Sequence, residues 1–144
     1  MKIIHSLVAA SVIMFISQSA MASYRTCQGY EATIVGTDSS ETIHGTHGPD
    51  VIWAGNGNDV IYGYGGDDIV CGEGGDDVIY GGRGHDKLAG NKGDDELYGG
   101  KGRDRLRGGD GDDYMIGGRG RDWMTGGPGY DKCRDRGVEV YACP

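Results

Sequence analysis

The sequence predicts an all-β fold, a solenoid of two short parallel sheets that face each other across a thin core. Three observations carry this. Glycine supplies 30 of the 144 residues and proline only 3, a glycine share near three times the usual ~7%. From Gly36 to Arg134 the chain divides into eleven nine-residue units without an insertion. In every unit one position is acidic and another apolar, in fixed phase. An ordinary helical domain is excluded, because each interior glycine costs up to about 1 kcal/mol against alanine. Collagen is excluded because glycine does not recur at every third residue. A disordered acidic tract has no reason to hold columns in register.

Residues 1–22 read as a secretory signal peptide. Lys2 gives the positive start, and Leu7–Ile16 is apolar apart from Ser11. That run is short of the ~20 apolar residues a membrane span needs, which disfavours an anchor. Ala20-Met21-Ala22 has the form of an A-x-A cleavage site, so the mature chain is expected to start at Ser23. A lipidated amino terminus is disfavoured because Cys27 follows Tyr24-Arg25-Thr26 rather than small apolar residues. The product is expected to be secreted and extracellular. No other stretch predicts a membrane span. Residues 23–35 are expected to cap the array. Ile34 falls in phase with the apolar column, so Ala32–Val35 is predicted as an extra strand on the first coil.

Residues 36–134 are the repeat block. The fourth position is glycine in every unit but the first, from Gly48 through Gly129. The sixth is Glu41, then Asp50, Asp59, Asp68, Asp77, Asp86, Asp95, Asp104, Asp113, Asp122 and Asp131. The eighth is apolar throughout, from Ile43 and Ile52 to Met124 and Cys133. Positions one to six are expected to turn, with glycine at one and four allowing positive φ and close backbone approach. Positions seven to nine are expected to be strand. Side chains alternate along a strand, so position eight points inward while seven and nine point outward. Three residues cannot form a stable strand alone, so neighbouring units must stack. Two units make one 18-residue coil, and at ~4.8 Å per coil the stack extends roughly 26 Å.

The units Gly45-Thr46-His47-Gly48-Pro49-Asp50-Val51-Ile52-Trp53 and Gly81-Gly82-Arg83-Gly84-His85-Asp86-Lys87-Leu88-Ala89 resemble the G-G-x-G-x-D-x-U-x nonapeptide of RTX, or hemolysin-type, calcium-binding proteins. The resemblance implies a right-handed parallel β-roll with calcium held in the turns.

The residues point the same way. Position six stacks carboxylates at ~4.8 Å, and like charges so close repel unless a cation lies between them. The donors on offer are all oxygen, from Asp side chains and turn carbonyls, and such multidentate sites suit Ca²⁺ better than Mg²⁺ or Zn²⁺. The ten aspartates Asp50 to Asp131 are therefore the expected ligands. By the resemblance, each ion lies between turns two units apart, which allows at most nine ions. The first turn, with Glu41, is expected to be weak or empty. Position five, which varies from Asn58 and Asp67 to Pro49, His85 and Arg103, is not expected to supply an essential ligand. The calcium-free chain, acidic and thin in its core, is expected to be disordered and to fold on binding.

Cys27, Cys71, Cys133 and Cys143 form an even set in an exported chain, which predicts two disulfides with three possible connectivities. Pairing of Cys133 with Cys143 would close residues 135–144 as a cap around a short strand, Val138–Tyr141. Pairing of Cys27 with Cys71 would tie the amino-terminal segment to the fourth unit. With no C-x-x-C, a zinc knuckle is not expected.

No enzyme is expected. His44, His47 and His85 fall at unrelated positions of the unit, and no motif places a nucleophile beside a base. The formal charge of −8 disfavours a nucleic-acid partner, although filled calcium gaps would reverse that sign. An outward row of Tyr62, Tyr80 and Tyr98 is predicted in one sheet. It serves either cross-strand packing or self-association and partner binding. An ice-binding solenoid would need regular outward rows of Thr and Asn, which are missing. Larger RTX proteins carry a toxin, protease or lipase domain and an uncleaved carboxy-terminal export signal. This chain is more similar to short, exported, repeats-only members. The expected function is a non-catalytic calcium-binding scaffold. The alternatives are a calcium-dependent adhesion protein or a remnant of a toxin or protease carboxy-terminal region.

Overall fold

A computed structural model describes residues 25–135, 138–141 and 143. The proposed signal peptide, 1–22, lies outside the described residues. The described residues form strands and turns with no helix. None is therefore long and apolar enough to cross a membrane as a helix.

An amino-terminal hairpin pairs β1 (Thr26–Cys27) with β2 (Tyr30–Glu31). The solenoid follows. One sheet holds β3 (Ile34–Val35), β5 (Val51–Asn56), β7 (Ile69–Gly74), β9 (Lys87–Lys92), β11 (Arg105–Asp110) and β13 (Trp123–Thr125). The other holds β4 (Thr42–His44), β6 (Val60–Tyr62), β8 (Val78–Arg83), β10 (Glu96–Gly102), β12 (Tyr114–Gly120), β14 (Lys132–Asp135) and β15 (Val138–Tyr141). Successive strands alternate between the sheets, so in-sheet neighbours lie 18 residues apart, as Leu97 does from Ile79 and from Met115. Pairing within both sheets is parallel except for β14 with β15, which is antiparallel. The chain is thus a β-solenoid of two stacked sheets and about six turns.

The core is the position-eight column. Ile52, Ile61, Val70, Ile79, Leu97, Leu106 and Met115 have no exposed surface. Ile34 and Met124 pack on the column at its two ends, half-buried. Cys133 pairs with Cys143, closing the stack beneath β15. The extra strand at Ile34 is present as β3 and pairs with β5.

The amino-terminal hairpin was not expected from the residues, which predicted only a cap strand over residues 23–35. It lies on the outer face of the six-stranded sheet, where Cys27 bonds Cys71 and buries against Ala89. The Arg25 guanidinium lies 4.2 Å from the Trp53 ring centroid, and the Lys87 ammonium 5.2 Å from that of Tyr30. Positions seven and nine of the first coils, open to solvent elsewhere, are covered here.

The glycine roles also differ from expectation. Position four is left-handed from Gly57 to Gly129, as at Gly102 (φ 146°), though not at Gly48, and position one is not. The second left-handed position is two, which tolerates Tyr64, Glu73 and Asn91 at φ of 73–83°. Position one is glycine for a different reason, which lies in the turns.

Candidate metal centre

Each position-six aspartate is placed by a turn that runs into a strand, and the strand ladder fixes one aspartate directly over the next. The two oxygens of each carboxylate meet different fates. Oδ1 of one aspartate accepts the backbone N–H of the aspartate one coil earlier: Asp68 from Asp50 (2.9 Å), Asp77 from Asp59 (2.8 Å), Asp95 from Asp77 (2.8 Å) and Asp113 from Asp95 (3.0 Å). The same bond joins Asp68 to Asp86, Asp86 to Asp104, Asp104 to Asp122 and Asp113 to Asp131. Oδ2 has no partner. From Asp59 through Asp122, eight consecutive repeat carboxylates each bury an oxygen with no hydrogen bond. Such an orphan is costly, and costlier when charged.

Position-one glycine makes this arrangement possible. A Cβ at Gly72, Gly90 or Gly108 would collide with Oδ2 of Asp77, Asp95 or Asp113, the aspartate of the same turn. The site is a cradle shaped around an unsatisfied carboxylate oxygen, and carbonyls stand beside it: a Cβ at Gly99 would meet the Gly117 oxygen at 2.6 Å.

Electrostatics mark the strain. Burial pushes the carboxyls of Asp68 and Asp77 up to about 7, Asp86 and Asp113 to about 6, and Asp95 to about 8. It also raises Asp59 and Asp104. The accepted N–H pulls each back, and the aspartates stacked on neighbouring coils push further up, so burial prevails.

The first two turns are built differently. Thr46 donates to Asp50 Oδ2 through its N–H (2.7 Å) and its hydroxyl (2.9 Å). In the first turn the Thr37 N–H donates to Glu41 Oε1. Both acids are satisfied within their own turn. Asp131, in the last turn, is buried without an enclosed orphan oxygen. Among the described residues no group of three His, Cys, Asp or Glu side chains gathers as a metal cluster. The candidate centres are pairs of carboxylates completed by carbonyls.

Position five builds a second ladder running the opposite way. Asn58 Oδ1 accepts the Asp76 N–H (3.0 Å), Asp76 accepts that of Asp94 (3.0 Å) and Asp94 that of Asp112 (2.8 Å). On the other edge the Arg103 N–H donates to His85 Nδ1 (2.8 Å). These side chains tie coils together and stay exposed.

The remaining histidines support rings. His44 stacks on Tyr62 with centroids 5.4 Å apart, its Nδ1 lies 2.8 Å from the Tyr64 hydroxyl, and His47 meets Tyr64 edge-on. Tyr62, Tyr80 and Tyr98 stack at 5.1 and 4.9 Å with nearly parallel rings, so their ring faces are occupied by one another. The Tyr98 hydroxyl donates to Glu96, and burial with that bond lifts its pKa to about 12.

A family model described as the RTX calcium-binding nonapeptide repeat, in four copies, matches residues 35–70, 72–106 and 98–133. No curated protein and no solved structure matches the chain.

Proposed function

The chain belongs to the family of RTX calcium-binding nonapeptide repeat proteins, and from that premise we propose that it is a non-catalytic module that folds around stacked calcium ions. The single observation behind this reading is the run of orphaned Oδ2 atoms from Asp59 to Asp122. The residues present fit the ion: the donors are all oxygen, position one is glycine beside seven of the eight orphaned carboxylates (Ala54 stands there in the Asp59 turn), and the buried charge is otherwise unbalanced. Bound calcium would supply the positive charge that lets facing carboxylates ionise together.

The ligands in this reading are Asp50 through Asp131, but not equally. Six gaps have an orphan oxygen on both sides: Asp59/Asp77, Asp77/Asp95 and Asp95/Asp113 on one edge, and Asp68/Asp86, Asp86/Asp104 and Asp104/Asp122 on the other. We assign the strong sites to these six, within the nine that the repeat allows. The gaps at Glu41, Asp50 and Asp131 are weaker.

At ~1 mM free calcium a site of ~10⁻⁴ M adds about 1.4 kcal/mol, so six sites turn a marginal chain into a stable one. Far-UV circular dichroism should show coil in EGTA and β structure at millimolar calcium, with sigmoidal onset. Calorimetry should count about six ions in the strong class. Identical spectra with and without calcium would refute the reading.

Secretion through residues 1–22 belongs to the same reading. The two disulfides, Cys27–Cys71 and Cys133–Cys143, favour an oxidising compartment. The tyrosine row serves sheet packing in this account, because its ring faces are already paired; self-association through it would have to use ring edges.

A further inference from the structure

We propose that one turn edge of the roll, with the sheet face beside it, binds an anionic polysaccharide. The observation is a segregation of charge between the two edges. Turns leading into the six-stranded sheet carry Arg83, Lys101 and Arg119 at position three, one coil apart. At position five they carry His85, Arg103 and Arg121, so the basic run covers these three coils and ends at Asp67, one coil earlier on the same edge, which accepts the His85 N–H. The opposite edge carries Asp76, Asp94 and Asp112 at the same position five. All nine side chains are exposed.

The basic rows continue around the corner onto the six-stranded sheet. Lys87 and Arg105 are paired in register at position seven, and Arg107 follows at position nine. Lys87 lies over the Tyr30 ring and His85 Nδ1 accepts the Arg103 N–H; the arginine and lysine side chains of these rows form no ion pair among the described residues. Lys87, Arg105 and Arg107 line a cleft of about 460 Å³ together with Ala89 and Gln28 of the hairpin. Trp123 also lines it and is 59% exposed.

These features select the partner. Cations repeat at one coil rise, ~4.8 Å, along straight rows. An extended glycan with one anionic group per sugar advances by a similar step, whereas the phosphates of duplex DNA rise ~3.4 Å per nucleotide along the helix axis and wind away from a straight row. The rows also turn a corner from edge to face, which a single flexible chain can follow and a flat anionic membrane cannot. The open indole face of Trp123 suits the C–H face of a sugar ring. The inference rests on the calcium reading, since the rows exist only in the folded roll. Filled calcium gaps would add charge of the same sign.

The test uses the full exported chain with chondroitin sulfate at millimolar calcium and low salt, read by calorimetry. Binding should weaken steeply with salt. Arg103→Glu with Arg121→Glu should lower affinity about tenfold or more, and Trp123→Ala should weaken binding at every salt concentration. Lys92→Glu, on the opposite edge, should bind like the parent, and neutral dextran should not bind. Circular dichroism of the same samples separates the two claims. A coil spectrum in calcium would overturn the calcium reading and this one with it. A β spectrum without binding, or undiminished binding by the double variant, would overturn this one alone. Tighter binding of duplex DNA or anionic vesicles through the same residues would overturn the assignment to a glycan.

Discussion

Asp95→Asn should push stability in opposite directions depending on calcium. The Asp95 side chain is 1% exposed, and its Oδ2 has no partner. Its carboxyl is lifted from 3.8 to about 8, chiefly by burial. At pH 7 the calcium-free roll must therefore either ionise this group against its environment or hold a proton that the unfolded chain releases. Three units of pKa correspond to on the order of 4 kcal/mol. A neutral amide keeps the Oδ1 acceptor for the Asp77 N–H and removes that charge penalty. It leaves an unpaired amide hydrogen, at a cost of about 1–3 kcal/mol. The variant should thus be the more folded of the two in EGTA. With calcium the sign reverses. Asp95 borders two of the six strong gaps, and weakening both should forfeit about 3 kcal/mol at 1 mM calcium. The assay is a calcium titration followed by circular dichroism, with urea melts at each end point. The variant should start with more β structure, end less stable, and bind about two ions fewer. Loss of stability in both conditions, or unchanged calcium stoichiometry, would refute the reasoning.

Three further outcomes are expected. The raised carboxyl values of Asp68, Asp77, Asp86, Asp95 and Asp113 mean that the folded chain without calcium binds more protons than the unfolded chain between about pH 4 and 8. Stability in EGTA should therefore fall as pH rises through that window, and a dichroism signal that grows with pH would contradict this. Gly108→Ala drives a Cβ into the Asp113 carboxylate, whereas Gly48→Ala meets nothing closer than Thr46 Oγ1 at 3.8 Å. Thermal melts in calcium should show about 1–3 kcal/mol lost by the first and little change in the second; equal losses would sink the cradle argument. Replacing Cys27 and Cys71 by serine opens a link across 44 residues, worth about 4 kcal/mol in chain-entropy terms. The calcium midpoint for folding should rise, and an unmoved midpoint would show that the hairpin adds nothing to the roll.

Much of this architecture was legible in the sequence, because a nine-residue period leaves little freedom. Ile52, Val70 and Leu88 recur every 18 residues, and that alone places them in one inward column. The aspartate column was legible for the same reason. The fate of each carboxylate oxygen was not, since Oδ1 and Oδ2 are indistinguishable until the neighbouring coil is in place. The role of position-one glycine was misread because glycine serves both φ and close approach, and only the Asp113 carboxylate beside Gly108 shows which applies. The hairpin was hidden because Thr26–Glu31 has no period and owes its place to the bond between Cys27 and Cys71. The charged edges could have been found: reading position five in alternate units gives Asp76, Asp94 and Asp112 on one edge and His85, Arg103 and Arg121 on the other, the latter preceded by Asp67. Read as a single column, they look merely variable.

The opposed ladders bear on how the molecule assembles. Each aspartate N–H waits for a carboxylate one coil later, while each position-five N–H looks back one coil. A half-finished stack therefore always ends on donors that only the next 18 residues can satisfy. The segment tied by Cys27 and Cys71 offers a starting nucleus, and growth from it is a zipper with an unfinished last tooth. Intermediates of such a process are each worse satisfied at their tip than the completed array. The kinetics should then show a lag followed by rapid completion, with partially wound chains scarce at any moment.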